Sequence, residues 1–180
     1  MSGTILIYGA TGYTGKLIAK AAVGQGARPI LAGRNLQKVE AVAKPLGLAA
    51  RAFDLRDPGR IDAAIKDVSA VLCVAGPFSA TSKPMAGACL RNRVHYLDIT
   101  GEIEVFEALA ARDAEAKAQG VTLLPGLSFD GEDGTNSRVI SRNAGPRNRR
   151  TLGLADGRYQ DYPEVCIKRG IEEGWIHAFF

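Results

Sequence analysis

The residues best suited to chemistry come early. Gly9-Ala10-Thr11-Gly12-Tyr13-Thr14-Gly15 places three glycines at intervals of three between the apolar run Ile5-Leu6-Ile7-Tyr8 and a helix-forming stretch that begins at Lys16. Without a Cβ, glycine lets the backbone turn sharply and lets a ligand approach it closely. The first amides of the helix that follows are unpaired and carry a partial positive charge, which favours a pyrophosphate. Strand, glycine turn and helix in immediate succession are the context that a dinucleotide-binding turn requires.

Three further stretches fall where such a ligand would extend. In NAD-preferring sites an acid ends the second strand and holds the ribose hydroxyls; here that place reads Gly33-Arg34-Asn35, with Lys38 one turn on. A 2′-phosphate is repelled by an acid and matched by a guanidinium, so the pattern favours NADP over NAD, unless Arg34 is an ordinary surface cation. Asp54-Leu55 ends the third strand, either at the adenine edge or with Asp54 capping the following turn. Ala75-Gly76-Pro77-Phe78 ends the fourth, either beside the nicotinamide half or as a simple strand stop.

Other chemistries lack their residues. Read as a Walker A loop, Gly15-Lys16 would put Ala10 at the first glycine and Leu17 at the hydroxyl that holds magnesium. His95 and His177 are too few and too scattered for a metal cluster, and His95 suits a strand edge better than a ligand role. There is no GxSxG nucleophile and no tyrosine followed four residues later by lysine, so serine hydrolysis and the Tyr-Lys pair of short-chain dehydrogenases are both absent. No proton donor can be named from the sequence, and no metal is expected.

The elements that must position these residues alternate. Short apolar strands are expected at Ile5–Tyr8, Arg28–Ala32, Ala50–Phe53, Ala70–Ala75, Val94–Leu97 and Val121–Leu124. Between them the spacing predicts helices: one after the glycine turn, one over 36–46 capped by Asn35, one opened by Asp57-Pro58, one from about Lys83 to Asn92 with Pro84 in its first turn, and the longest over 102–119. In that last helix Phe106, Leu109, Ala110 and Ala114 share a face, and Gly120 suits its end. This grammar specifies an α/β domain with a doubly wound parallel sheet and helices on both faces.

From Asp130 the alternation fails, so residues 1–129 form the nucleotide-binding domain and 130–180 an irregular C-terminal tail. The tail ends in Trp175, Ile176, Phe179 and Phe180, which either dock on the domain or offer a partner or second copy a sticky surface. The formal charge of the 180 residues is +4, with its excess before residue 130, and no basic block is interleaved with aromatics. That suits an anionic small molecule rather than nucleic acid. Three widely spaced cysteines and no long apolar run indicate a reducing compartment without disulfides or membrane span, hence a cytoplasmic protein.

Four segments taken together resemble the saccharopine dehydrogenase-like oxidoreductases, including their trans-acting enoyl reductase branch. They are the glycine turn, Ala32-Gly33-Arg34-Asn35, Val74-Ala75-Gly76-Pro77-Phe78 and His95-Tyr96-Leu97-Asp98-Ile99-Thr100-Gly101-Glu102, the last two being the more specific. The resemblance extends to about residue 129 and implies a Rossmann-type domain that holds NADP for hydride transfer to an imine or enoyl substrate. It places Gly9, Thr11, Gly12, Tyr13, Thr14, Gly15, Arg34 and Gly76 to Phe78 at the cofactor and Tyr96, Asp98 and Glu102 on the substrate side, though Asp98 could equally cap the helix near Glu102. Family members continue into a second domain; after Asp130 this chain departs from that pattern, so the tail reads as a truncated or altered remnant and turnover as incomplete. The competing expectation is a non-catalytic NADP sensor of the NmrA-like type, which also lacks the Tyr-Lys pair.

Overall fold

The computed structural model describes residues 3–127; the tail with Trp175, Ile176, Phe179 and Phe180, and also Cys166 and His177, lies outside the described residues. Six strands, β1 (Ile5–Tyr8), β2 (Ile30–Gly33), β3 (Ala50–Ala52), β4 (Ala70–Cys73), β5 (His95–Asp98) and β6 (Leu123–Leu124), pair in parallel in the order β3-β2-β1-β4-β5-β6. Parallel neighbours need crossovers, and six helices supply them: α1 (Tyr13–Gly24), α2 (Leu36–Ala43), α3 (Pro58–Ile65), α4 (Phe78–Asn92), α5 (Ile103–Ala110) and α6 (Asp113–Gln119).

Side chains alternate across each strand, and the core divides accordingly. Leu6, Tyr8, Val71, Cys73 and Tyr96 face the layer that includes Ile61, Ile65, Met85, Cys89, Val105 and Leu109. Ile7, Leu31, Leu72 and Leu97 face Ala19, Val39 and Ala43 on the other side. All four residues of β2 and of β4 are buried, because helices cover both faces of the middle strands. The reversal of strand order between β1 and β4 leaves a crevice at the carboxyl ends of those two strands.

Two helices depart from what periodicity specifies. The helix expected from Lys83 begins five residues earlier, at Phe78, and Pro84 lies inside it rather than in its first turn. Its start is fixed by a carboxylate far away in sequence, since Glu102 accepts hydrogen bonds from the Phe78 and Ser79 amides at 2.7 Å each. The single helix expected over 102–119 is two, α5 and α6, separated at Ala111 and Arg112. The interruption changes the buried face: Val105, Phe106, Leu109 and Ala116 point inward, whereas Ala114 is exposed. Smaller shifts occur at edges: β2 starts at Ile30, β6 at Leu123, and residues 44–46 form a 3-10 turn after α2.

Candidate functional site

The glycine turn closes against the sheet at the crevice. Gly9 has φ +93°, and a Cβ on it would meet the Ala75 amide nitrogen at 2.8 Å and the Val74 carbonyl carbon at 2.9 Å. Gly15, in the first turn of α1, would meet the Gly9 carbonyl oxygen at 2.5 Å. Both glycines are therefore needed by the polypeptide itself. Gly12 is different: its Cβ would have only the Gly9 carbonyl oxygen near it, at 3.4 Å, and otherwise project into open space. No side chain caps the first-turn amides of α1, and no acid lies in that turn. An uncapped helix start beneath a backbone left bare by glycine is a cradle that fits a pyrophosphate.

On the β2 side, Asn35 is occupied as the N-cap of α2, its Oδ1 accepting from the Lys38 amide at 3.0 Å. Arg34 is exposed at the end of β2, and its charge acts on Tyr8 and Asp54. Tyr8 is buried against the Phe53 ring, with centroids 4.9 Å apart, and donates its hydroxyl to the Phe53 carbonyl at 3.2 Å. Burial pushes this phenol up to about 12. Asp54 accepts from the Arg56 amide at 2.9 Å and pairs with the Arg56 guanidinium at 2.7 Å, which hold its carboxyl down at about 2. Of the two readings of Asp54, this geometry is that of a turn cap. Leu55 packs against the core beside it.

At the other end, Gly76 and Pro77 are joined by a cis peptide and both are exposed at the crevice. Phe78 packs partly on the core, and Thr81 holds the turn by donating its hydroxyl to the Ala75 carbonyl at 2.6 Å. Glu102 crosses from the loop before α5 to this place, and the Phe78 and Ser79 amides it accepts lower its carboxyl pKa. The end of β4, the start of α4 and the loop after β5 are thereby held as one unit.

Tyr96 and Asp98 are placed deeper. Asp98 is fully buried; its Oδ2 accepts the Tyr96 hydroxyl at 2.7 Å, and its Oδ1 accepts the amides of Thr100 at 2.9 Å and Gly126 at 3.0 Å. Burial raises this carboxyl and the three donors oppose the rise. Burial likewise raises the Tyr96 phenol well above its ordinary value. Asp98 accepts no amide of α5, so it ties loops together rather than capping that helix. Thr100 extends the knot by accepting the Glu102 amide at 3.0 Å. Gly126, with φ +74°, lies so close to the Phe106 ring that a Cβ would approach it to 2.5 Å.

Thr100, Ser79 and Gly126 are residues that sequence reasoning did not single out. The first two act through a side-chain acceptor and a main-chain amide that no spacing rule marks; Gly126 carried a signal as half of the Pro125-Gly126 strand stop. The structure thus groups Gly9 with Ala75, Arg34 with Tyr8 and Asp54, Glu102 with Phe78, and Tyr96 with Asp98. Thr11 and Lys38 line one cavity between α1 and α2. No helix among the described residues is long and apolar enough to cross a membrane.

Comparison with known proteins gives a consistent neighbourhood. The saccharopine dehydrogenase NADP-binding domain model matches residues 5–124. A trans-acting enoyl reductase of Mycobacterium leprae is 31% identical over 134 residues, covering 70% of this chain and 32% of the relative. One from Mycobacterium tuberculosis is 35% identical over 106 residues, covering 55% of this chain and 25% of the relative. The chain therefore spans about a quarter to a third of the length of these relatives. Among solved structures, apo saccharopine dehydrogenase (L-Glu forming) from Saccharomyces cerevisiae aligns with a TM-score of 0.63 at 19% identity, over 71% of this chain and 28% of that one. AtPrR2 with NADP+ and (+)pinoresinol aligns at 0.54 and 20% identity, over 72% and 51%. At such identities the likeness is one of fold.

Proposed function

We infer that this chain, which belongs to the saccharopine dehydrogenase NADP-binding domain family, is the cofactor-holding part of an NADP-dependent reductase. The observation that carries the reading is the cradle at Gly12, an uncapped helix start facing open space at the crevice between β1 and β4. In this reading Gly9 to Gly15 hold the pyrophosphate. The edge formed by Arg34, Asn35, Lys38, Asp54 and Leu55 meets the adenosine half. Ala75, Gly76, Pro77 and Phe78 line the nicotinamide half. The end of β2 presents a cation and no acid, which supports a 2′-phosphate over bare ribose hydroxyls.

When bound, the nicotinamide supplies the hydride, and an imine or enoyl substrate is the acceptor class that the relatives' names suggest. What this chain contributes is position. Gly9 jammed against Ala75 fixes the phosphate turn relative to the end of β4, and Glu102 fixes the start of α4 relative to the loop after β5. Tyr96, Asp98 and Glu102 are all committed to hydrogen bonds within the fold, so they hold the substrate side in shape rather than deliver a proton. The reading assigns proton delivery to groups outside residues 3–127.

That division of labour also accommodates the second reading, an NADP-binding sensor, since binding without turnover is its signature. The test is to mix the full chain with NADPH and model imine or enoyl substrates and follow consumption of the reduced nicotinamide. Consumption that requires substrate supports the reductase. Saturable NADPH binding with no consumption on any substrate favours the sensor.

A further inference from the structure

The cationic groups of the domain are not evenly employed. Arg51, Arg56, Arg60, Arg91, Arg112, Lys44 and Lys117 each pair with a carboxylate. Lys16, Lys20 and Lys38 form no ion pair among the described residues, and all three line the same cavity of about 460 Å³ between α1 and α2. Its flank is apolar, with Val42 and Leu46, and its remaining polar wall is Thr11 of the glycine turn. Three ammonium groups gathered without a carboxylate repel one another until an anion joins them. Because Thr11 belongs to both, the cavity opens on the phosphate cradle.

Arg34 does not line this cavity. Its nearest electrostatic partners are Tyr8 and Asp54, at the ends of β1 and β3, so the guanidinium lies toward the opposite side of the β2 end. The expectation that Arg34 selects the phosphorylated cofactor therefore names the right edge and the wrong group.

We propose that the adenosine 2′-phosphate is selected in the cavity between α1 and α2, by Lys38 and Lys16 at its Thr11 end with Lys20 adding charge behind them, while Arg34 serves the adenosine whether or not it is phosphorylated. This rests on the NADP reading above and refines it. A phosphate monoester carries nearly two negative charges at neutral pH, enough to compensate most of three lysines. Flexible ammonium stems can close on it from two helices, which a single guanidinium on the far side cannot do.

The experiment uses the full chain and calorimetric titration with 2′,5′-ADP and 5′-AMP, two probes that differ only in the phosphate of interest. Lys38→Ala and Lys16→Ala should each weaken 2′,5′-ADP by about tenfold and leave 5′-AMP unchanged, as expected when one charge-assisted hydrogen bond is removed. The triple lysine variant should lose the preference, and raising salt should weaken 2′,5′-ADP more than 5′-AMP. Arg34→Ala should weaken both probes by the same factor. If the lysine variants keep the preference, or Arg34→Ala alone abolishes it, this proposal is wrong and the NADP reading survives. If the unaltered chain binds neither probe, both fall together. Thermal melts of each variant, expected to coincide because the three lysines are exposed, separate lost binding from lost folding.

Discussion

Gly9 and Gly12 stand three residues apart in one turn, yet their substitution should separate folding from binding. An alanine at Gly9 must take φ near +93° and press on main-chain atoms of Val74 and Ala75, which have no rotamer by which to yield. Gly9→Ala is expected to lower stability by about 2 kcal/mol or more. Gly12 has φ −71°, an ordinary value for any residue, and its Cβ would enter open space. Gly12→Ala should shift the melting curve by less than about 1 kcal/mol while weakening NADPH about tenfold or more, because the methyl group occupies the backbone's approach to the pyrophosphate. A Gly12→Ala chain that binds NADPH normally would remove Gly12 from the site. The same resolution applies at Asp98, whose carboxylate satisfies three donors. Asp98→Ala leaves them buried without an acceptor and should cost about 3 kcal/mol or more in chemical denaturation. Asp98→Asn keeps an oxygen for the Thr100 and Gly126 amides and lets the Tyr96 hydroxyl turn to accept, so it should cost about 1 kcal/mol. Equal losses would show that charge rather than hydrogen-bond geometry holds the knot.

At the scale of elements, α4 depends on a residue that is not its own. Glu102 supplies the acceptor that Pro77 cannot, 24 residues before it in the chain. Its carboxyl pKa is lowered below the ordinary 4.5, so the native state binds this proton less readily than the unfolded chain. Its contribution is full above 4.5 and fades as pH falls through the lowered value. Glu102→Gln should therefore be less stable than the unaltered chain at neutral pH by about 1 kcal/mol, as for a lost helix cap. The two stability curves should converge in acid, and a gap that persists unchanged there would argue against the carboxylate as cap. This contact also explains what the sequence could not disclose. The six strands are legible as apolar runs because burial on both faces removes polar interruption, and Asn35 and Asp57 are legible as caps because each accepts from an amide three residues on. The start of α4 is not legible, since local rules place proline in a first turn and cannot see Glu102. Nor is the break at Ala111 and Arg112, neither of which is a helix-breaking type. Within the site, the glycine turn and the cationic end of β2 could be read from residue types, whereas the cavity between α1 and α2 exists only once two helices are packed side by side.

At the scale of the molecule, strand order, glycine turn and family membership converge on one crevice, between β1 and β4, as the place where this domain meets NADP. A ligand bound only by the native state must stabilise it, by about 2.7 kcal/mol at a concentration one hundred times its dissociation constant. The melting temperature should rise accordingly with NADPH and much less with NADH at equal concentration. Thermal shifts report the ligand indirectly, through unfolding of the whole domain. The most direct measurement is equilibrium titration of the unaltered full chain with NADPH and, separately, NADH, following the fluorescence of the reduced nicotinamide. The account predicts saturable one-to-one binding of NADPH, with NADH weaker by about tenfold or more, the worth of one charge-assisted contact to the 2′-phosphate. Failure of both nucleotides to bind would contradict it.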